Sequence, residues 1–327
     1  MADDLTFAGA SDLLANARNL LCAEQRALAL LDDSLDDSIL HAAAAIAACS
    51  GRILVSGMGK SGIVARKIAA SFCSLDVPAQ FLHAGDALHG DLGAVRPDDI
   101  LVAISVSGAT RELVAVVQHA RQIGAATIGI TGNSRAPLAR CCDQLLLIPS
   151  CEEGAGLSAA PFASTVTSIA TGDMLCALVV GLRGNRREQM YALHPAGEIG
   201  RNLMPVRQIM HGGERVPLLP GDADSGRIIA EVSAKGFGIA GVVDEAGVLI
   251  GTISDGDIRR HIDAFEHCVA RDVMVTHPVT LPPEGDLGTA LELIRTHRVS
   301  ALFIVETESG KVLGVIHIQD LLRVGIF

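Results

Sequence analysis

Six residues, Gly57-Met58-Gly59-Lys60-Ser61-Gly62, place three glycines around a lysine and a serine. Glycines let a backbone approach an anion closely, and the free N–H groups of a following helix, with a lysine beside them, complete the attraction. The same spacing satisfies the dinucleotide fingerprint G-x-G-x-x-G. A nicotinamide enzyme also needs an acid at the end of the second strand to grip ribose hydroxyls. That strand ends at His83, and the nearest acid, Asp76, precedes it. A P-loop needs a further glycine at the position held by Leu54. The mismatch favours two other readings, an anion site and a tight strand-to-helix turn with a solvated lysine, over a nicotinamide enzyme, for which Asp76 would have to reach the ribose. A second loop, Ser105-Val106-Ser107-Gly108-Ala109-Thr110, follows another apolar strand and carries three hydroxyls. Side by side, the two loops make a phosphate cradle with Gly59, Ser61, Ser105, Ser107 and Thr110 as contacts, although Thr110 also suits a helix cap. His83 and His89, with Asp86 and Asp91, have donor types that could gather a divalent cation, His89 foremost.

These loops need a frame. The short apolar runs Arg52 to Ser56, Gln80 to His83, Ile100 to Ile104, Thr127 to Ile130 and Gln144 to Ile148 read as buried strands. Helical patterns lie between most of them, as at Ile63 to Phe72 and Glu112 to Gln122. Two Ala- and Leu-rich helices from Ser11 to Ala48, joined near Asp32 to Asp37, come first, and a long helix from Ser164 to Leu182 closes the unit. Strands alternating with helices predict an α/β fold with a parallel sheet, a flavodoxin-like three-layer αβα sandwich whose ligand lies at the carboxyl ends of the strands.

Composition narrows the partners. The 327 residues are 49% hydrophobic and 19% charged, which suits more than one core. A formal charge of −11, no basic cluster, no Trp and a single tyrosine, Tyr191, argue against nucleic acid. The acidic start is unlike a signal peptide. The longest apolar run, Met174 to Leu182, is short for a membrane span, so a cytoplasmic protein is expected. Eight cysteines without a C-x-x-C pair read as reduced thiols.

The last third contains a repeat. Met210 and Met274 are 64 residues apart, whereas Gly247 and Gly310, Gly251 and Gly314, Asp257 and Asp320, and Arg260 and Arg323 are each 63 apart, which suggests one insertion. A unit present twice buries its faces against its twin. "GTISDGDIRR" and "GVIHIQDLLR" each follow an apolar strand, and together they resemble a pair of CBS (cystathionine β-synthase type) domains, an α+β module, at 206–266 and 270–327. The resemblance implies a nucleotide or sugar-nucleotide effector, with Asp257 and Asp320 either holding ribose hydroxyls or capping helices.

"GMGKSG", "ISVSG", "HAGDALHGDLG" and "HPAGEIGR", in this order and ahead of the repeats, resemble the sugar isomerase (SIS) domain, here 1–205, and more closely the arabinose 5-phosphate isomerases. That family interconverts ribulose 5-phosphate and arabinose 5-phosphate, the entry to 3-deoxy-D-manno-octulosonate for lipopolysaccharide or capsule, and its members are typically tetramers with shared active sites. The reaction moves a proton between neighbouring carbons through an enediol and needs no redox cofactor. The resemblance assigns Glu153 as proton shuttle, His194 to ring opening, Lys60 to stabilising the enediolate, and Glu112 to orienting the substrate or Lys60. Each has a plainer alternative. Glu112 suits a helix start by the dipole alone, Glu153 could be an exposed loop charge, and His194 could merely end a segment. The chain departs from the family where Val106 and Ala109 replace an amide and a carboxylate, and where Phe162 and Ala163 replace two hydroxyls. A sensor that binds the sugar phosphate without converting it, or an isomerase of another sugar phosphate, remains a second reading.

Overall fold

The computed structural model describes residues 10–153, 160–184, 191–193 and 197–326. It divides into two compact units, Met1–Asn185 and Arg186–Phe327. The sequence places the boundary later, at 205. Packing explains the difference, because Val206 N–H donates to the Gly285 carbonyl and Leu287 N–H to the Met204 carbonyl, which ties this segment to the second unit.

In the first unit, strands β1 (Ile53–Gly57), β2 (Ala79–His83), β3 (Ile100–Ile104), β4 (Ala126–Thr131) and β5 (Gln144–Leu147) form one sheet. The order is β2-β1-β3-β4-β5, every pair parallel. This is the flavodoxin-like order, and the chain reverses direction across the sheet between β1 and β3. Successive residues of a strand face opposite sides. Thus Val102 and Ile104 enter one core with Ile46, Ile68, Phe72 and Leu175, while Leu101 and Ala103 enter another with Leu82, Leu113 and Val116. All five residues of β3 are buried, as expected for a central strand covered on both faces.

The helices of this unit are α1 (Ala10–Asp33), α2 (Ser38–Ala48), α3 (Gly59–Ser74), α4 (Ala84–Ala87), α5 (Arg111–Gln122), α6 (Pro137–Cys141) and α7 (Ala163–Arg183). The helix α7 is long and apolar enough to cross a membrane by length and composition. Here it is the closing helix, burying Thr167, Thr171, Leu175 and Val179 and packing on α1, α2 and α3.

The second unit repeats one motif. Strand β6 (Leu218–Pro220), helix Ser225–Lys235, strands β7 (Ile239–Val243) and β8 (Leu249–Ser254) and helix Asp255–Arg260 form the first copy. After β9 (Val275–Thr276), strand β10 (Thr280–Leu281), helix Leu287–His297, strands β11 (Ala301–Val305) and β12 (Val312–His317) and helix Ile318–Arg323 form the second. The copies share their pairing, parallel then antiparallel, with an irregularity near the end of β7 and of β11. One insertion does not explain the offsets. The N-caps Asp224 and Asp286, which accept N–H bonds from Arg227 and Thr289, are 62 apart, although in the chain they follow the methionines, 64 apart, and precede the glycines, 63 apart. The copies also exchange segments. The strand β9, which precedes the second copy, pairs with β8 of the first, while His211, which precedes the first copy, bonds to Val315 of the second. Neither copy is complete without the other.

Candidate active site

The loop after β1 folds on itself through its glycines. A Cβ on Gly57 would lie 2.8 Å from the Ser61 carbonyl oxygen, and one on Gly62 would lie 3.0 Å from the Gly57 carbonyl oxygen. Gly59, the first residue of α3, has φ +55°, where a Cβ is strained. The spacing therefore has a steric cause that requires no dinucleotide. We expect Gly57→Ala to lower stability by about 1–3 kcal/mol, read as a drop in melting temperature, because the added atom meets backbone rather than a flexible side chain.

The loop after β3 is held by its own hydroxyls. Ser105 Oγ accepts the Gly108 N–H at 3.1 Å and lies 3.0 Å from Thr110 Oγ1, while Ser107 Oγ accepts the Ala109 N–H at 3.3 Å. Thr110 occupies the N-cap position of α5, yet its hydroxyl makes no cap bond and turns to Ser105.

Because β1 and β3 are neighbours in the sheet, the two loops flank one crevice at the point where the topology switches. A cleft of about 420 Å³ opens there, lined by Lys60 and Ser61 from the first loop and by Ser105, Ser107 and Thr110 from the second. Glu153 and the start of α7 form its remaining wall. Glu153 is not a free loop charge: Oε2 accepts the Ala163 N–H at 2.9 Å and Oε1 the Ser164 N–H at 3.1 Å. It thus caps α7 through the two backbone donors that a helix start leaves unpaired. Each carboxylate oxygen retains a second lone pair. The N-termini of α3 and α7 both reach the cleft, and that of α5 follows Thr110 directly, so partial positive charge gathers where a phosphate would sit.

Curated relatives match the chain along nearly their whole length. It is 34% identical over 320 residues to the arabinose 5-phosphate isomerase KdsD of Pseudomonas aeruginosa, covering 96% of this chain and 98% of that one. It is 33% identical over 314 residues to the arabinose 5-phosphate isomerase KdsD of Escherichia coli K12, covering 94% and 95%. The chain belongs to the arabinose 5-phosphate isomerase family. Its SIS domain is matched over residues 46–178 and its CBS domain over 270–326. A solved structure of an E. coli CFT073 protein in complex with arabinose 5-phosphate superposes with a TM-score of 0.54 at 32% identity, covering 57% of this chain and 98% of that one.

Within this isomerase fold, Lys60, Ser61, Ser105, Ser107, Thr110 and Glu153 line one cleft. Glu112 does not join them: it is exposed in the first turn of α5 and does not line the cleft. His194 lies outside the described residues. The reading of His89 as a metal ligand is corrected. His83 Nδ1 lies 3.2 Å from Asp86 Oδ2 and caps α4, His89 is exposed, and among the described residues no three His, Cys, Asp or Glu side chains gather to hold a metal ion. Donors close in sequence around a turn need not converge in space.

Of the two roles open to Asp257 and Asp320, the structure shows the capping one. Asp257 accepts the Ser254 N–H at 2.8 Å and pairs with Arg260. Asp320 accepts the His317 N–H at 2.9 Å and meets His211 Nε2 at 3.1 Å. Both carboxylates close capping boxes at their own helix starts. All eight cysteines are free, and burial pushes the Cys142 and Cys176 thiols up to about 12.

Sequence reasoning missed the polar stripe of α7. Ser164, Ser168 and Thr171, spaced four and three apart, are buried, and the first two line the cleft. Hydroxyls at helical spacing inside an apolar helix are the signal that could have revealed it.

Proposed function

We propose that the protein interconverts D-ribulose 5-phosphate and D-arabinose 5-phosphate, supplying the precursor of 3-deoxy-D-manno-octulosonate. The observation that carries this reading is one cleft at the switch point lined by a lysine, a hydroxyl-rich loop and a carboxylate. The phosphate sits on Ser61, Ser105, Ser107 and Thr110 over the helix start that Gly59 opens. Opening of the sugar ring, assigned to His194 by family resemblance, exposes a carbonyl at C1. Glu153 takes the proton from C2 and returns it to C1, and the C1 carbonyl becomes the C2 carbonyl through the enediol. Lys60 stabilises the negative oxygen that develops between. Incubating the protein with arabinose 5-phosphate and assaying ribulose 5-phosphate tests the activity. Binding without conversion would favour the sensor reading.

We place the enzyme in the cytoplasm, where phosphorylated sugars are held, and assign it a homotetramer. An exposed stripe on α1 supports self-association. Leu14, Leu21 and Leu28 are spaced seven apart, with relative exposures of 62%, 55% and 39%, on a helix whose Ala23, Ala27 and Leu31 are buried. Leucines at that spacing form a seam suited to another helix. Leu21→Glu is expected to give a smaller species by size-exclusion chromatography with light scattering, and an unchanged mass would remove the stripe from the interface. For the CBS pair we assign a nucleotide or sugar-nucleotide effector, tested by thermal shift with a nucleotide panel.

A further inference from the structure

The hydroxyls of α7 fall into two kinds. Ser168 Oγ donates to the Ser164 carbonyl at 2.7 Å, Thr167 Oγ1 to the Ala163 carbonyl at 3.2 Å and Thr171 Oγ1 to the Thr167 carbonyl at 2.9 Å. These side chains are satisfied by their own helix. Ser164 differs. It lies in the first turn, where the residue four places earlier, Ala160, is not yet helical. Its side chain is 3% exposed, and its Oγ has no hydrogen-bond partner among the described residues. A buried hydroxyl without a partner is unfavourable and is rare in native proteins. Ser164 also lines the active-site cleft, and its backbone N–H is held 3.1 Å from Glu153 Oε1.

We propose that Ser164 Oγ hydrogen-bonds a hydroxyl oxygen of the bound sugar phosphate and fixes the reacting end of the sugar against Glu153. The inference rests on the isomerase reading of the cleft. A hydroxyl beside a carboxylate is poorly placed for a phosphate, since Glu153 would repel the dianion. The opposite wall, with Lys60 and the Ser105 to Thr110 loop, already supplies the donors that a phosphate takes. A polyol is different. Its hydroxyls both donate and accept, so one of them can donate to the Glu153 carboxylate while another pairs with Ser164 Oγ. Phe162 and Ala163 carry no hydroxyl, so Ser164 and Thr165 are the hydroxyls of the first turn. Thr165 Oγ1 donates to the Pro161 carbonyl, so in this turn Ser164 Oγ is the hydroxyl without a partner among the described residues.

The test compares full-length wild type with Ser164→Ala. Three quantities are measured: the melting temperature without ligand, the dissociation constant and turnover of arabinose 5-phosphate, and the dissociation constant of inorganic phosphate. Removing a hydroxyl that has no partner among the described residues should leave the ligand-free melting temperature unchanged. Affinity for arabinose 5-phosphate should fall about tenfold, with inorganic phosphate held within about twofold, because only the sugar loses a bond. Unchanged sugar affinity overturns the proposal, and so does a matching loss for inorganic phosphate, which would place Ser164 on the phosphate. A lowered ligand-free melting temperature would assign the hydroxyl to the fold. If wild type binds the sugar phosphate without converting it, the isomerase reading fails while the binding ratio still decides Ser164. If wild type does not bind it, both fail.

Discussion

Glu153→Gln should lower kcat by about 10²–10⁴-fold, the usual contribution of a positioned general base. The size of the effect matters because Glu153 has two jobs in the structure. Its carboxylate caps α7 through the Ala163 and Ser164 N–H groups. A helix cap contributes only about 0.5–2 kcal/mol to stability. Glutamine keeps one oxygen able to accept one of those bonds, so the variant should fold with a melting temperature a few degrees lower. If the cap were the residue's only role, Glu153→Gln would lose some stability and keep its turnover. If Glu153 carries the proton, turnover collapses in protein that is still folded. Steady-state kinetics at a temperature well below both melting transitions separates the two. The cap has a further consequence for the chemistry, since two backbone bonds fix the plane of the carboxylate and aim its free lone pairs.

Lys60→Met is expected to lower kcat by about 10²–10³-fold, the effect of losing one donor to a developing oxyanion. Lys60 stands in the first turn of α3 and lines the cleft with its side chain exposed. It could therefore serve either of two ends of the substrate. A lysine that only anchors the phosphate binds ground state and transition state alike, and its loss raises KM while kcat stays level. A lysine that meets the enediolate acts only as charge develops, and its loss lowers kcat. Methionine retains the length and apolar stem of the side chain, so the split between kcat and KM reports the charge. A variant with raised KM and intact kcat would move Lys60 into the phosphate cradle.

The elements that position these residues were largely legible, for a physical reason. Strands buried on both faces must be apolar throughout, and Ile100 to Ile104 reads from the sequence with the same ends as in the fold. The start of α3 was less clear. Apolar periodicity begins at Ile63, whereas the helix begins at Gly59, because the first turn is polar and glycine-rich and faces the ligand site. The two cleft loops could be read because each joins a strand end to a helix start. That they meet also followed, once a parallel sheet was inferred. The role of Glu153 as a cap could not be read, since it joins residues ten and eleven positions apart across an irregular segment. Nor could the failure of His83, Asp86 and His89 to gather around a metal, because side-chain direction in a short helix and turn is not visible in composition. At Asp257 and Asp320 the backbone geometry shows the capping role, and the ribose contact is left to the effector test.

The central claim is that this cleft moves a proton between C1 and C2 of a five-carbon sugar phosphate. The most direct measurement incubates the protein with arabinose 5-phosphate in deuterium oxide and follows the sugar carbons by NMR. Proton transfer through an enediol predicts that ribulose 5-phosphate appears and that deuterium accumulates at C1 and C2 over repeated turnovers, as the proton held by Glu153 exchanges with solvent. Ribulose 5-phosphate free of deuterium after many turnovers, or no ribulose 5-phosphate at all, would contradict it.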